Sequence, residues 1–198
     1  MIPSVEETRR SLAASWDLFK GRPHAMRGFD VSIEGFWRSF GVIVLLIVPY
    51  AVTVIAEQRI IAEEVILLEG TFSERAYVLA KAIGFVLDWI CYPVIMALLA
   101  RPLAISHRYV GYIVARNWTS AIAILPYMVP ALLYNFGMIN AGLTMVLTLI
   151  AVGFVLRYRY VVARAALNAT VSLAIGLVVL DTLLSFLIGT AVNRAIGI

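Results

Sequence analysis

Cysteine and histidine are nearly missing from this sequence. It holds one cysteine, Cys91, and two histidines, His24 and His107. An intramolecular disulfide is therefore excluded, and a Cys/His metal site lacks ligands. Both histidines lie outside the apolar runs, which argues against a haem held between spans. Charge is sparse too, at 14% of residues. The net +4 and the pI near 9.4 do not point to nucleic acid, because the basic residues are scattered at the ends of apolar runs instead of clustered in one patch. Catalytic signatures are also lacking: no Ser/His or Cys/His set for acyl transfer, no HExxH zinc motif and no phosphate-cradling glycine loop. Asp88 and Asp181 sit in Leu-Asp-Trp and Leu-Asp-Thr settings, unlike the Tyr-Asp and Gly-x-Gly-Asp motifs of intramembrane aspartyl proteases. The expectation is a protein with no catalytic residue, no metal and no cofactor.

What the sequence has in abundance is apolar length. Of 198 residues, 62% are hydrophobic, with a mean hydropathy of +0.93. A soluble domain of this size does not look like that. Several runs reach the roughly 20 residues needed to cross about 30 Å of hydrocarbon. The reading is an all-α polytopic membrane bundle with five transmembrane helices, at about 35–56, 77–100, 118–134, 139–156 and 169–192, forming one domain over 35–198. Residues 1–34 form a cytoplasmic amphipathic segment, too polar for a cleavable signal peptide, so the N-terminus is expected to be retained.

In that segment Ser4 and Glu7 have the spacing of a capping box after Pro3, and Val5, Leu12, Trp16 and Phe19 recur near helical spacing. The helix either lies on the membrane, with Arg9, Arg10 and Lys20 facing lipid phosphates, or packs on the protein's own loops. Glu34, Trp37 and Arg38 form an interfacial anchor at the entry to the first span, with Glu34 and Arg38 placed for an i,i+4 ion pair. Pro49 is placed to kink the exit half of that span. From Glu57 to Ala76 the chain turns acidic, and a separate short surface helix ending at Gly70 is expected, its glutamates forming a solvated face. Arg101-Pro102 ends the second span, and Arg108 and Arg116 fall in the connection to the third, which Pro126 and Pro130 interrupt as a kink or as a discontinuous helix at a site. Thr144 and Thr148 share a face of the fourth span.

The basic residues orient the chain. Arg9, Arg10, Lys20, Arg22, Arg27, Arg38, Arg101, Arg108, Arg116, Arg157, Arg159 and Arg164 fall on one side of five spans, against only Arg59, Arg75 and Arg194 on the other. That asymmetry predicts an N-in, C-out topology.

Inside the spans, Lys81, Asp88 and Tyr92 lie within one helical arc, and Asp181 has Ser185 one turn further on. Both aspartates fall near the middle of their spans, where an unpaired carboxylate costs about 2.5 kcal/mol or more. Lys81 is about 10 Å from Asp88 along the helix, too far for direct contact. Packing the second span on the fifth would let Lys81 lean toward Asp181 or Asp88 while Tyr92 and Ser185 hydrogen-bond the carboxylates; otherwise desolvation keeps either carboxyl protonated. The cluster of Lys81, Asp88, Tyr92, Asp181 and Ser185 is then either a proton- or cation-linked pathway or a polar lock that fixes helix register.

The five-span layout, with its cytoplasmic N-terminal segment and short C-terminal tail, resembles the Yip-type family of small integral membrane proteins, whose Asp-Leu-Tyr-Gly segment is echoed by Phe29-Asp30 and Gly35-Phe36-Trp37. Gly35-Phe36-Trp37-Arg38-Ser39-Phe40 is also similar to uncharacterised bacterial inner-membrane proteins. The likeness implies an architecture and no functional residue. The expected role is a non-catalytic subunit or adaptor of a bacterial inner membrane. Its expected partners are the lipid bilayer and another membrane protein or a second copy of itself, with no nucleic acid. The alternative is a small carrier or channel using Asp88, Lys81 and Asp181.

Overall fold

A computed structural model describes residues 3–67 and 72–197, and the fold is all-α. Helix α1 (Val5–Phe19) starts where the Ser4 hydroxyl accepts the Glu7 amide at 3.1 Å. Its buried face is Glu7, Ser11, Ala14, Ser15 and Leu18, with three small side chains at its middle. Small residues let α1 settle closely on the rest of the chain. In the adjoining 3-10 segment (Pro23–Gly28), a Cβ added to Gly28 would come within 2.6 Å of that of Ala14.

Helix α2 (Ile33–Ser39) leads through one 3-10 turn into α3 (Ile43–Leu67). The expected surface helix after Glu57 is not separate: α3 continues unbroken through Glu57, Glu63 and Glu64, and Gly70 lies outside the described residues. The carboxylates do not end the helix because glutamate is a good helix former, and two of them engage neighbouring helices: Lys81 pairs with Glu57 at 2.6 Å and Tyr134 donates to Glu63 at 3.0 Å.

Helix α4 (Glu74–Leu99) follows. The expected third span is divided into α5 (Tyr109–Ala123) and α6 (Leu125–Asn135), joined at Ile124. Pro126 lies in the first turn of α6, where its missing N–H would have had no intrahelical partner. α5 also begins well before residue 118, so Arg116 belongs to the helix and not to a connection. Helix α7 (Ala141–Leu167) likewise runs past residue 156. Its extension is held by α1: the Tyr158 hydroxyl donates to the Ser15 carbonyl at 2.6 Å and Phe19 packs edge-on to the Tyr158 ring. Asn168, left-handed at φ 51°, turns the chain into α8 (Val171–Ile196).

Among the described residues, four helical segments are long and apolar enough to cross a membrane: Ile33–Glu64, Glu74–Leu99, Ala141–Leu167 and Val171–Ile196. Their outward faces are exposed and apolar, as at Val48 and Ile55, Ile90 and Val94, Val146 and Ile150, and Leu183 and Phe186. Each of α3, α4, α8, α7 and α6 packs on the next, and α6 returns to α3. α5 is different. Every residue from Tyr112 to Ser120 is buried, because α1, α2, α4 and α7 surround it. It fills the centre of the bundle at the end where α1 packs, called here the proximal end. Beyond Ile124 the chain steps aside as α6.

Candidate functional site: a polar axis through the bundle

The site begins with the polar arc of α4. Lys81, Phe85, Asp88 and Tyr92 recur at helical spacing opposite the exposed Ile83, Ile90 and Val94, so the arc faces the bundle interior. Its residues engage three other helices: Lys81 and Phe85 reach α3, Asp88 reaches α8 and Tyr92 reaches α5. Lys81 donates to Glu57 of α3 at 2.6 Å. Phe85 stacks on Tyr50 of α3, centroids 4.4 Å apart, and the Tyr50 hydroxyl donates to the Lys81 carbonyl at 3.2 Å. Asp88 accepts from Ser185 of α8 at 2.6 Å. The Tyr92 and Tyr112 hydroxyls share a hydrogen bond, joining α4 to α5.

The five residues expected to form one cluster therefore divide among separate contacts. Ser185 reaches Asp88, whereas Lys81 reaches neither aspartate and Tyr92 meets a tyrosine instead of a carboxylate. Lys81 is committed to Glu57, which removes it from Asp181 and Asp88.

Asp181 finds its partners in residues that the sequence places in connections. The Arg116 guanidinium donates to it at 2.6 Å, and the Arg159 Nε lies 3.6 Å from its other oxygen. Arg116 is 3% exposed and Asp181 15%, so the pair is withdrawn from solvent. Helical spacing builds the surroundings: Tyr112, Arg116 and Ser120 lie four apart on one face of α5. The Arg116 guanidinium also sits 3.9 Å from the centre of the Tyr92 ring, where the electron-rich face stabilises a cation. Arg159 donates to the Ser120 hydroxyl at 3.2 Å and more distantly, at 3.4 Å, to the Arg116 carbonyl. Two guanidinium groups face one carboxylate, and oxygen acceptors with an aromatic face compensate the surplus positive charge. The Arg116 Nε has no hydrogen-bond partner among the described residues.

Toward the proximal end the axis continues. Asn117 donates to the Ser39 hydroxyl at 3.0 Å, fixing α5 to α2. Arg38 donates to Glu7 at 2.8 Å and to Asp30 at 2.6 Å, and the expected i,i+4 pair with Glu34 is present as a longer contact of 3.5 Å, the Glu34 side chain being 79% exposed. The anchor of Glu34, Trp37 and Arg38 is thus a clasp made by Arg38 on α1 and the loop before α2, with Trp37 left exposed. Asp30 is held below the ordinary carboxylate range, first by the Ser32 amide and hydroxyl and then, against some desolvation, by the Arg38 and Arg10 guanidinium groups. Gly35 completes this corner, since any Cβ there would collide with the Asp30 carbonyl oxygen.

Away from the proximal end, the space left where α6 steps aside is a cavity of about 720 Å³ between α3, α6 and α7. Its polar lining is Tyr50, Thr53, Glu57, Glu64, Tyr127, Thr144 and Thr148. Thr53, Glu57 and Glu64 are on the face of α3 opposite the exposed Val48 and Ile55, and the cavity opens between α3 and α7 past the exposed Met145 and Leu149.

The residues missed in sequence were Arg116, Arg159 and Glu57. One signal was available: a mid-span Asp181 requires a cation, and Arg116 stands one helical turn beyond Tyr112 in a segment that also carries Tyr109, Ile113 and Trp118. No protein family, curated protein or solved structure matches the chain.

Proposed function

We propose that the chain is a non-catalytic subunit or adaptor of a bacterial inner membrane, crossing it five times with α5 and α6 in series as the third crossing. In this reading α1 is cytoplasmic and α8 ends on the opposite side. The topology is supported by the arginine asymmetry and by the parallel course of α5–α6 along α2–α3: Asn117 is tied to Ser39, and Asn135 to Val52 and Arg59. The observation that carries the role is the pairing along the axis. Lys81, Asp88, Arg116 and Asp181 each engage a residue of another helix, so they hold helices in register and leave the outward faces for a membrane partner or lipid.

A second reading, a proton- or cation-linked carrier or channel using Asp88, Lys81 and Asp181, is favoured by one feature: the 720 Å³ cavity, which reaches Glu57, the partner of Lys81. Native mass spectrometry of protein extracted mildly from its own membrane distinguishes the two when combined with flux assays in proteoliposomes. The adaptor reading predicts a stoichiometric partner or retained lipid, and Asp88→Asn and Asp181→Asn variants that change stability or assembly. A bare chain whose ion flux disappears in still-folded variants would establish the carrier instead.

A further inference from the structure

At the seam of α7 and α8 a second cavity, about 340 Å³, is lined by Leu156, Val171, Ile175, Val178 and Val179, with Arg157 and Tyr160 at its polar edge. Val171, Ile175 and Val179 are about half exposed, so the groove lies on the outside of the bundle. Arg157 is exposed, and its one hydrogen bond is a long one, 3.4 Å, to the Phe19 carbonyl at the end of α1. Among the described residues no carboxylate lies within ion-pair distance of it, whereas the neighbouring Lys20 and Arg22 are both engaged by Asp17. Trp16, 46% exposed and stacked on Phe19, stands on the same end of α1 with Lys20 over its ring. An apolar groove, an arginine without an acid and an exposed tryptophan at one level form an interfacial arrangement.

We infer that this groove binds one anionic phospholipid, its acyl chain lying along Ile175, Val178 and Val179 and its phosphate on the Arg157 guanidinium. Charge selects this occupant. A guanidinium matches a phosphate with parallel N–H donors, and a zwitterionic lipid brings a compensating ammonium that Arg157 does not welcome. The inference rests on the membrane-embedded reading above and deepens its lipid-binding part.

The test is native mass spectrometry of the full chain in detergent titrated with dioleoyl-phosphatidylglycerol or dioleoyl-phosphatidylcholine. The wild type should prefer the anionic lipid by about fivefold, the effect of one basic contact near a membrane surface. Arg157→Gln should bring that ratio near one, Arg157→Lys should retain most of it, and Arg164→Gln, which alters an exposed arginine elsewhere on α7, should leave it intact. A preference unchanged in Arg157→Gln, or equal binding of both lipids by the wild type, overturns the site. Failure of the chain to remain with the membrane fraction on alkaline extraction overturns the embedded reading itself, so the two failures are separable.

Discussion

Arg116 and Asp181 are 65 positions apart in the chain and 2.6 Å apart in the fold, joining the central helix α5 to α8. Because α5 is surrounded by α1, α2, α4 and α7, this ion pair ties the last helix to the element around which the others are arranged. A buried pair of this kind contributes little over a well-packed apolar pair, but breaking it leaves an uncompensated charge.

Asp181→Asn or Arg116→Met is therefore expected to lower unfolding free energy by about 3 kcal/mol, measured by denaturant titration in mixed micelles. The double variant Arg116→Met/Asp181→Leu should lose much less than the sum of the single changes. Additive losses would mean that the two residues act separately.

The Ser185–Asp88 contact should behave differently. Both residues border accessible space, and interhelical hydrogen bonds in membranes average about 0.6 kcal/mol. Ser185→Ala should reduce stability by less than a third of the Asp181→Asn effect in the same titration. Equal losses would contradict the ranking of the two sites.

The proximal clasp carries an acid dependence. The Asp30 carboxyl is depressed in the folded chain, so the stability it contributes is present above the ordinary carboxylate value of 3.8 and is lost as pH falls through the lower folded value. Thermal melts below pH 3.8 should therefore show a loss of stability that Asp30→Asn reduces. A wild type and Asp30→Asn variant that melt in parallel across this range would remove Asp30 from the clasp.

Gly35→Ala tests the same corner sterically. The added methyl group would meet the Asp30 carbonyl oxygen and carboxyl carbon, and displacing backbone there should cost about 1–3 kcal/mol. Gly84→Ala, where a Cβ meets nothing within 4 Å, is the control and should change stability little.

Much of this architecture is written in the periodicity. The apolar runs, the Ser4 cap and the inward arc of α4 follow from residue spacing alone, because hydrophobic length and 3.6-residue repetition are local properties. The partners of the arc are not local. Arg116 and Arg159 carry charges that a reading by membrane topology assigns to connections, and only burial by α1 and α2 makes that part of the bundle a place where a guanidinium can face Asp181. α1 packs on the rest of the chain, one of its two expected placements, with Leu12 and Phe19 against the core but with a face that the sequence shows only in part. Val5 and Trp16 are its conspicuous apolar residues, yet both are exposed, whereas the smaller Ser11, Ala14 and Ser15 form the contact. Close packing uses small side chains beside the fully buried Leu18.

The five-crossing account is tested most directly by the sidedness of its two ends. In a Cys91→Ala background, Arg9→Cys in α1 and Arg194→Cys near the end of α8 would be probed separately with a membrane-impermeant maleimide in sealed vesicles of known orientation. Opposite labelling, with Arg9→Cys reached only from the cytoplasmic side and Arg194→Cys only from the other, is the predicted result. Labelling of both from one side would make α5 and α6 a re-entrant pair among four crossings and contradict the account.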